Sequence, residues 1–380
     1  MKKTTLFISV AVLLCILVMV LGASCASNTP ATTTSASAAA TSAAPTTTAA
    51  ASTQTTGKVT TWKMQSLIPL TDPLPQIGSS FTTVLKSYVQ WVNDMSNGQL
   101  VIELMEPGSV CPANAELAAV KSGVIDAAFT APQFDEGKLG GITSIARGLP
   151  GVITTPQGIR NYFRLSGVTD VIQEAYATEG VYYIPALWSN DFSYLTNFQI
   201  QGIADFAGKK IRATGLDASV IQKAGGTPVT SISAGDLYMA LQLGTVDGVA
   251  YGGASSLELS LNEVVKYYVA SPNHYSCAGI IFNQDALAAL PTNIKDNLVK
   301  YSPYILDSLT LDNNACEGKV APIMEEKGIT IVNFSEEETQ KFRNVQKQVI
   351  ADLTTQAESK GDTYYLKALQ VLIDKGIYSK

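Results

Sequence analysis

The sequence predicts an α/β protein of two lobes, each laid out as strand, helix, strand, helix, strand. Three observations carry this. Elements in that order occur twice, first from Val59 and again from Lys209. A short run of residues repeats between the two units at the same place in each. The segment before the first strand, residues 1–57, cannot build a core, which leaves roughly 320 residues, enough for two lobes of ordinary size.

The first unit opens with a mostly apolar strand, Thr61–Ile68, followed by a loop rich in Pro and Asp (Pro69, Asp72, Pro73, Pro75). Phe81, Val84, Leu85, Tyr88, Val92 and Met95 recur at helical spacing, and Asn97-Gly98 stops that helix. Leu100–Met105 reads as a strand, Glu116–Lys121 as a short helix and Val124–Ala131 as a strand. This order implies a parallel sheet with helices on its faces. The second unit reads as strand Lys209–Ala213, helix Ala218–Ala224 stopped by Gly225-Gly226, and strand Thr227–Ile232. Helix Asp236–Leu243 follows, with Ser233 and Asp236 as a capping pattern, and Thr245–Tyr251 closes the unit.

The repeated run is Ala119-Val120-Lys121-Ser122-Gly123-Val124-Ile125-Asp126-Ala127 against Ala240-Leu241-Gln242-Leu243-Gly244-Thr245-Val246-Asp247-Gly248. In both, an apolar helix end meets a Gly, an apolar pair, an Asp and a small residue. So short an echo is either chance, one solution to a helix-to-strand turn used twice, or the trace of two similar lobes; the repeated element order favours the last. Open α/β sheets bind ligands beyond the carboxyl ends of their strands. Facing lobes share that region as a cleft, and Thr130 and Tyr251 become equivalent positions in it.

Lys2 and Lys3 precede a charge-free apolar run, Leu6–Leu21, broken only by Ser9 and ending in small residues. It reads as a secretion signal. Leu21-Gly22-Ala23-Ser24-Cys25 resembles a bacterial lipobox, with Gly22 where a larger apolar residue is usual, so Cys25 is the expected lipidation site; ordinary cleavage nearby or an uncleaved anchor are the alternatives. A diacylated N-terminus anchors far better than a single chain. Residues 26–57 are almost wholly Thr, Ala and Ser and read as a disordered tether. Cys111, Cys277 and Cys316 stand far apart without metal-ligand or redox spacing, so free thiols are expected, with one disulfide as the alternative. The formal charge of -6 and the lack of a basic face exclude nucleic acid as a partner.

Three segments of the second unit, in order and correctly spaced, resemble one family. Asp205-Phe206-Ala207-Gly208-Lys209-Lys210-Ile211-Arg212 is similar to the "D-L-K-G-L-K-I-R" of solute-binding proteins of TRAP (tripartite ATP-independent periplasmic) transporters, the DctP type. Ala224-Gly225-Gly226-Thr227-Pro228-Val229 resembles their "L-G-A-x-P-V". Asp236-Leu237-Tyr238-Met239-Ala240-Leu241-Gln242-Leu243-Gly244-Thr245-Val246-Asp247-Gly248 resembles "E-x-Y-x-A-L-Q-x-G-x-V-D-G". The resemblance implies a periplasmic-binding-protein type II-like fold with crossing hinge strands and C-terminal helices. Its expected division is 58–188 plus about 278–318 for lobe I, and about 189–277 plus 319–380 for lobe II. It also implies capture of a small organic acid outside the cytoplasm, at the periplasm or the outer face of the cytoplasmic membrane. The partners it implies are a small and a large membrane subunit, with a monomer as the expected state. A ligand-sensing receptor, or a binding protein of another transporter class, would share the fold.

The family's carboxylate-clamping arginine falls on Arg212. A planar guanidinium holds a carboxylate by two parallel hydrogen bonds; an ion pair within its own lobe is the alternative. After "V-D-G", relatives often carry a Glu and then an Asn or Trp, where this chain has Ala250 and Tyr251. Ala250 lacks the carboxylate with which some relatives hold a cation, so no metal and no cofactor is expected. Tyr251 either covers the ligand body or packs at its strand end. Trp188, Asn190, Asp191 and Asn197 surround the expected first crossing between lobes and complete the candidate site.

No enzyme is expected. His274 is the only histidine, and Ser276 and Cys277 beside it do not make a triad by adjacency; it reads as a loop residue near the second crossing. No nucleophile elbow, Walker loop or dinucleotide fingerprint occurs.

Overall fold

The computed structural model describes residues 58–71, 74–189, 192–269 and 275–379. The expected signal, Cys25 and the tether therefore lie outside the described residues, as do Asp72, Pro73, Asn190, Asp191 and His274.

Strand β1 (Thr60–Ser66) leads to helix α1 (Phe81–Met95). Ser80 caps α1 by accepting a hydrogen bond from the Thr83 N–H at 3.3 Å, and the helix buries Val84, Leu85, Tyr88 and Val92. Asn97 (φ 50°) and Gly98 (φ 74°) end it by turning left-handed, which Asn and Gly tolerate best. Strand β2 (Leu100–Met105), helix α2 (Glu116–Lys121) and the wholly buried strand β3 (Ala127–Thr130) complete the first βαβαβ unit. After it come α3 (Ile142–Arg147), α4 (Val168–Ala177), β4 (Val181–Ser189) and β5 (Phe192–Thr196).

The second unit is β6 (Lys210–Arg212), α5 (Leu216–Lys223), β7 (Thr227–Val229), α6 (Leu237–Gln242) and β8 (Gly248–Gly252). Among the elements that follow are β9 (Tyr267–Val269), β10 (Ser276–Asn283), α7 (Thr292–Glu317), β11 (Thr330–Val332), α8 (Glu336–Lys360) and α9 (Thr363–Asp374). One sheet has the order β2-β1-β3-β10-β4 and the other β11-β9-β5-β8-β6-β7. The parallel triplets β2-β1-β3 and β7-β6-β8 are therefore built alike. An antiparallel strand flanks each, β10 beside β3 and β5 beside β8. The chain leaves the first sheet between β4 and β5 and returns between β9 and β10.

The sequence echo is a repeated set of hydrogen bonds. Asp126 accepts the Lys63 N–H at 2.8 Å, and Asp247 accepts the Lys210 N–H at 2.8 Å. Gly123 (φ 74°) and Gly244 (φ 68°) make the same left-handed turn out of the preceding helix. Asn283 N–H bonds the Asp126 carbonyl at 2.8 Å, and Asn197 N–H bonds the Asp247 carbonyl at 2.9 Å. The short polar-and-glycine segment thus fixes how a helix re-enters the sheet in both units.

Three readings need correction. Strands β3, β7 and β8 are shorter than expected, because Val124, Ile232 and Thr245 lie outside the ladders, Val124 and Thr245 in bends. Ser233 does not cap its helix: its hydroxyl donates to the Asp236 carboxylate at 2.5 Å, so the two side chains satisfy each other. Residues 319–380 do not all side with the second sheet. Helix α8 packs Phe342 and Val349 among Tyr194, Phe206 and Ile211, but Ile350 and Ala357 enter the core below the first sheet. Helix α9 lies wholly on that first core, burying Tyr365, Ala368, Leu369 and Leu372 with Ile172 and Ala175 of α4. Asp362 holds its start, accepting from Tyr365 N–H at 3.0 Å and from Gly141 N–H at 2.7 Å. The apolar period of α9 fits the face of α4, so the chain crosses the molecule once more along α8.

Candidate functional site

Arg212 ends β6, at the carboxyl edge of the second sheet, and is 8% exposed. Its Nε donates to the Ile232 carbonyl at 3.1 Å, which fixes the plane of the guanidinium. Its two terminal nitrogens make no hydrogen bond to any described residue. The guanidinium carbon lies 5.9 Å from the centre of the Tyr251 ring, at the equivalent edge of β8. Burial lowers its pKa; the Tyr251 phenol and the Asp217 carboxylate oppose that, and the positive charge of Arg147 adds to it. A buried cation whose planar fork has no partner among the described residues is an anion-binding group by its chemistry.

Beside it stands a second arginine from the other unit. Arg147, the last residue of α3, donates to Asp217 Oδ2 at 3.1 Å and to Gln133 Oε1 at 2.9 Å. Both charged side chains are 7% exposed, and Asp217 sits in the first turn of α5. The ion pair therefore joins the carboxyl-edge regions of the two sheets. Gly215, which starts α5 with φ +57°, allows this approach: a Cβ there would lie 3.2 Å from Gln133 Cβ and 3.7 Å from Arg147 Cδ. A cavity of about 600 Å³ opens beside Arg147, walled by Gln133, Ser144, Gly215, Ser219, Gln222 and Val349. Arg212 and Tyr251 are not in its lining, so Arg147 links that polar crevice to the arginine cluster.

At the first sheet's carboxyl edge the polar groups are buried deeper. Gln65 Nε2 donates to Glu116 Oε1 at 2.7 Å and to the Cys111 carbonyl at 2.8 Å. Burial pushes Glu116 up to about 7; Gln65 and Thr130 pull it back, and the nearby charge of Asp135 raises it further. Thr130 Oγ1 and Glu116 Oε2 still fall short of full hydrogen-bond geometry with any described group. Burial also pushes Asp135 up to about 7, against the hydrogen bond it receives from the Tyr176 hydroxyl at 2.9 Å.

Of the residues singled out from sequence, Arg212 and Tyr251 come together, and Thr130 holds the equivalent strand end in the first sheet beside Glu116. Trp188 lies on β4 with its backbone opposite Cys277; its side chain is outside the described part, as are Asn190 and Asp191 altogether. Asn197 does not reach this edge. It follows β5 at the amino end of β8, where Gly248 pairs with Thr196, about 13 Å along the strand from Tyr251. Arg147, Asp217 and Gln133 were not anticipated. Cys277 is a buried free thiol and Cys111 a half-buried one. No helix among the described residues is long and apolar enough to cross a membrane.

Two sheets joined by crossing strands, with an arginine at their meeting edge whose outer nitrogens have no partner among the described residues, define an α/β fold of two lobes. The chain belongs to the bacterial extracellular solute-binding protein family 7 (DctP), whose model matches residues 76–356. It is 26% identical over 179 residues to a monocarboxylate 2-oxoacid-binding periplasmic protein of Nostoc sp.; that match covers 47% of this chain and only about half, 48%, of the relative. A solute-binding protein of Albidiferax ferrireducens is 21% identical over 280 residues, covering 69% of this chain and 78% of that protein. The fold is that of a TRAP periplasmic solute-binding protein of Rhodoferax ferrireducens crystallised with malonate, with TM-score 0.72, 17% identity, and coverage of 83% of this chain and 100% of that one.

Proposed function

We propose that this protein is the extracytoplasmic receptor of a TRAP-type transporter, capturing a small organic acid between its lobes for delivery to a small and a large membrane subunit. The observation that carries the reading is Arg212: a guanidinium 8% exposed, braced through Nε, with no partner among the described residues for its outer nitrogens. A carboxylate between those nitrogens would satisfy two donors at once, and shielding from water would strengthen the pair. Tyr251 would cover the ligand body. Thr130, Trp188, Asn190 and Asp191 remain candidates to line the rest of the cleft, and Asn197 serves the turn into β8 instead. The family membership and the relatives' names support a carboxylate ligand. The protein would act as a monomer without a cofactor or catalytic step, held at the outer face of the cytoplasmic membrane through lipidated Cys25.

A thermal-shift panel of small organic acids tests this. A ligand that binds only the folded protein stabilises it by about 2.7 kcal/mol at a hundredfold excess over Kd. The expected result is a concentration-dependent shift from at least one carboxylate and none from its amide. Stabilisation by neutral sugars or by amines alone would contradict the proposal.

A further inference from the structure

We propose that Asp217 is a specificity residue: it neutralises Arg147 across the cleft, so that the site accepts one carboxylate, at Arg212, and disfavours a second. This rests on the reading of Arg212 as the carboxylate clamp.

The inference comes from counting charge where charge is buried. Arg147 and Arg212 supply two cations at the meeting edges of the sheets, and Asp217 supplies one anion, 3.1 Å from the first. Arg147 is held on two sides, by Asp217 and by Gln133, whereas the outer nitrogens of Arg212 have no described partner. Among the described residues, the other charged walls of the crevice balance or face water: Lys223 pairs with Asp352 at 2.6 Å, and Glu136 is exposed. Glu116 and Asp135, further into the first unit, are carboxyls that burial drives toward the neutral form. Among the described residues, one buried positive charge without a counter-ion remains, at Arg212. A single carboxylate neutralises it. A second must either displace Asp217 from Arg147 or stay unpaired beside that buried carboxylate, and both are costly.

Asp217 also sits where an acid suits a helix start, in the first turn of α5. That role alone would affect folding and leave the ligand's charge unselected, so the two are separable by measurement.

The test is calorimetric titration with malonate and with its monoamide, malonamate, at about pH 8 and constant chloride, where every carboxyl of the probes is ionised. In the intact wild-type protein, malonate should bind no tighter than malonamate. In Asp217→Asn, malonate should gain about tenfold or more, the scale of one charge-assisted hydrogen bond, while malonamate changes little. The gain should vanish when Arg147→Gln is added, because the freed cation is then gone. Unchanged malonate affinity in a folded Asp217→Asn protein would overturn the inference. So would a wild type that prefers malonate to malonamate about tenfold, a comparison that stands even where the variant fails to fold. Adding Arg212→Ala to Asp217→Asn separates the two readings: a malonate gain that survives leaves Asp217's role intact and removes the clamp at Arg212.

Discussion

A carboxyl buried beside another carboxyl binds its proton more tightly in the folded chain than in the unfolded one, and two such groups sit at the end of the first sheet. Glu116 and Asp135 rise from ordinary values of 4.5 and 3.8 to about 7, burial being the main cause in each. Their folded pKa values are raised, so the folded state holds more protons between the two values. The stability they confer is present below about pH 4 and is lost as pH rises to about 7, by at most about 1.4 kcal/mol per unit and per group. Calorimetric melting of the ligand-free protein should therefore give a higher Tm at about pH 5.5 than at about pH 7.5, and Glu116→Gln should flatten that slope. A Tm that rises with pH over this window would contradict the assignment. The Cys277 thiol, pushed by burial to about 12, should resist alkylation until the protein unfolds. The place of Arg212 at the carboxyl end of a strand was legible in the sequence because its motif is local and ordered. Asp217 was not, because its meaning lies in a partner seventy positions upstream, at the end of α3. Asn197 misled for the converse reason. Its backbone closes the same turn that Asn283 closes in the first unit, a structural duty that a polar residue near a lobe crossing does not announce.

Elements were readable where their signal was periodic or capped. Helix α1 runs over Phe81–Met95 as its apolar spacing predicts, and the helix expected over Glu116–Lys121 and the strand over Leu100–Met105 have the observed bounds. Strand ends were less legible, since apolar residues such as Val124 and Ile232 continue past the ladder into irregular backbone. The allegiance of the C-terminal helices was also hidden: amphipathicity tells that α9 buries one face and not which lobe receives it. The observed packing makes α9 part of the first core, so Leu372→Ala, fully buried among Ile172 and Tyr365, should cost about 2–5 kcal/mol. Chemical denaturation checks this. A loss below about 0.5 kcal/mol would mean that α9 docks elsewhere.

At the scale of the whole molecule, two similarly built sheets are joined where the chain passes from β4 to β5 and from β9 to β10, and are bridged by α8. If the two lobes trap ligand by closing on it, ligand should shift an open ensemble to a compact one, visible as a smaller radius of gyration in solution scattering. Ala250 lacks the side-chain oxygen that a hard cation would need, so binding should survive chelation and replacement of sodium, which titration in each buffer would check. Both expectations serve the central claim, that the closed cleft holds one carboxylate on Arg212. Its most direct test is calorimetric titration of the acid selected by thermal shift into the wild type, Arg212→Lys and Arg212→Ala, with the ligand-free Tm of each recorded. Lysine keeps the charge and loses the fork, so affinity should fall in Arg212→Lys, and by thirtyfold or more in Arg212→Ala, about 2 kcal/mol or above, while Tm stays near the wild type. Unchanged affinity with a lowered Tm would make Arg212 a structural ion and contradict the account.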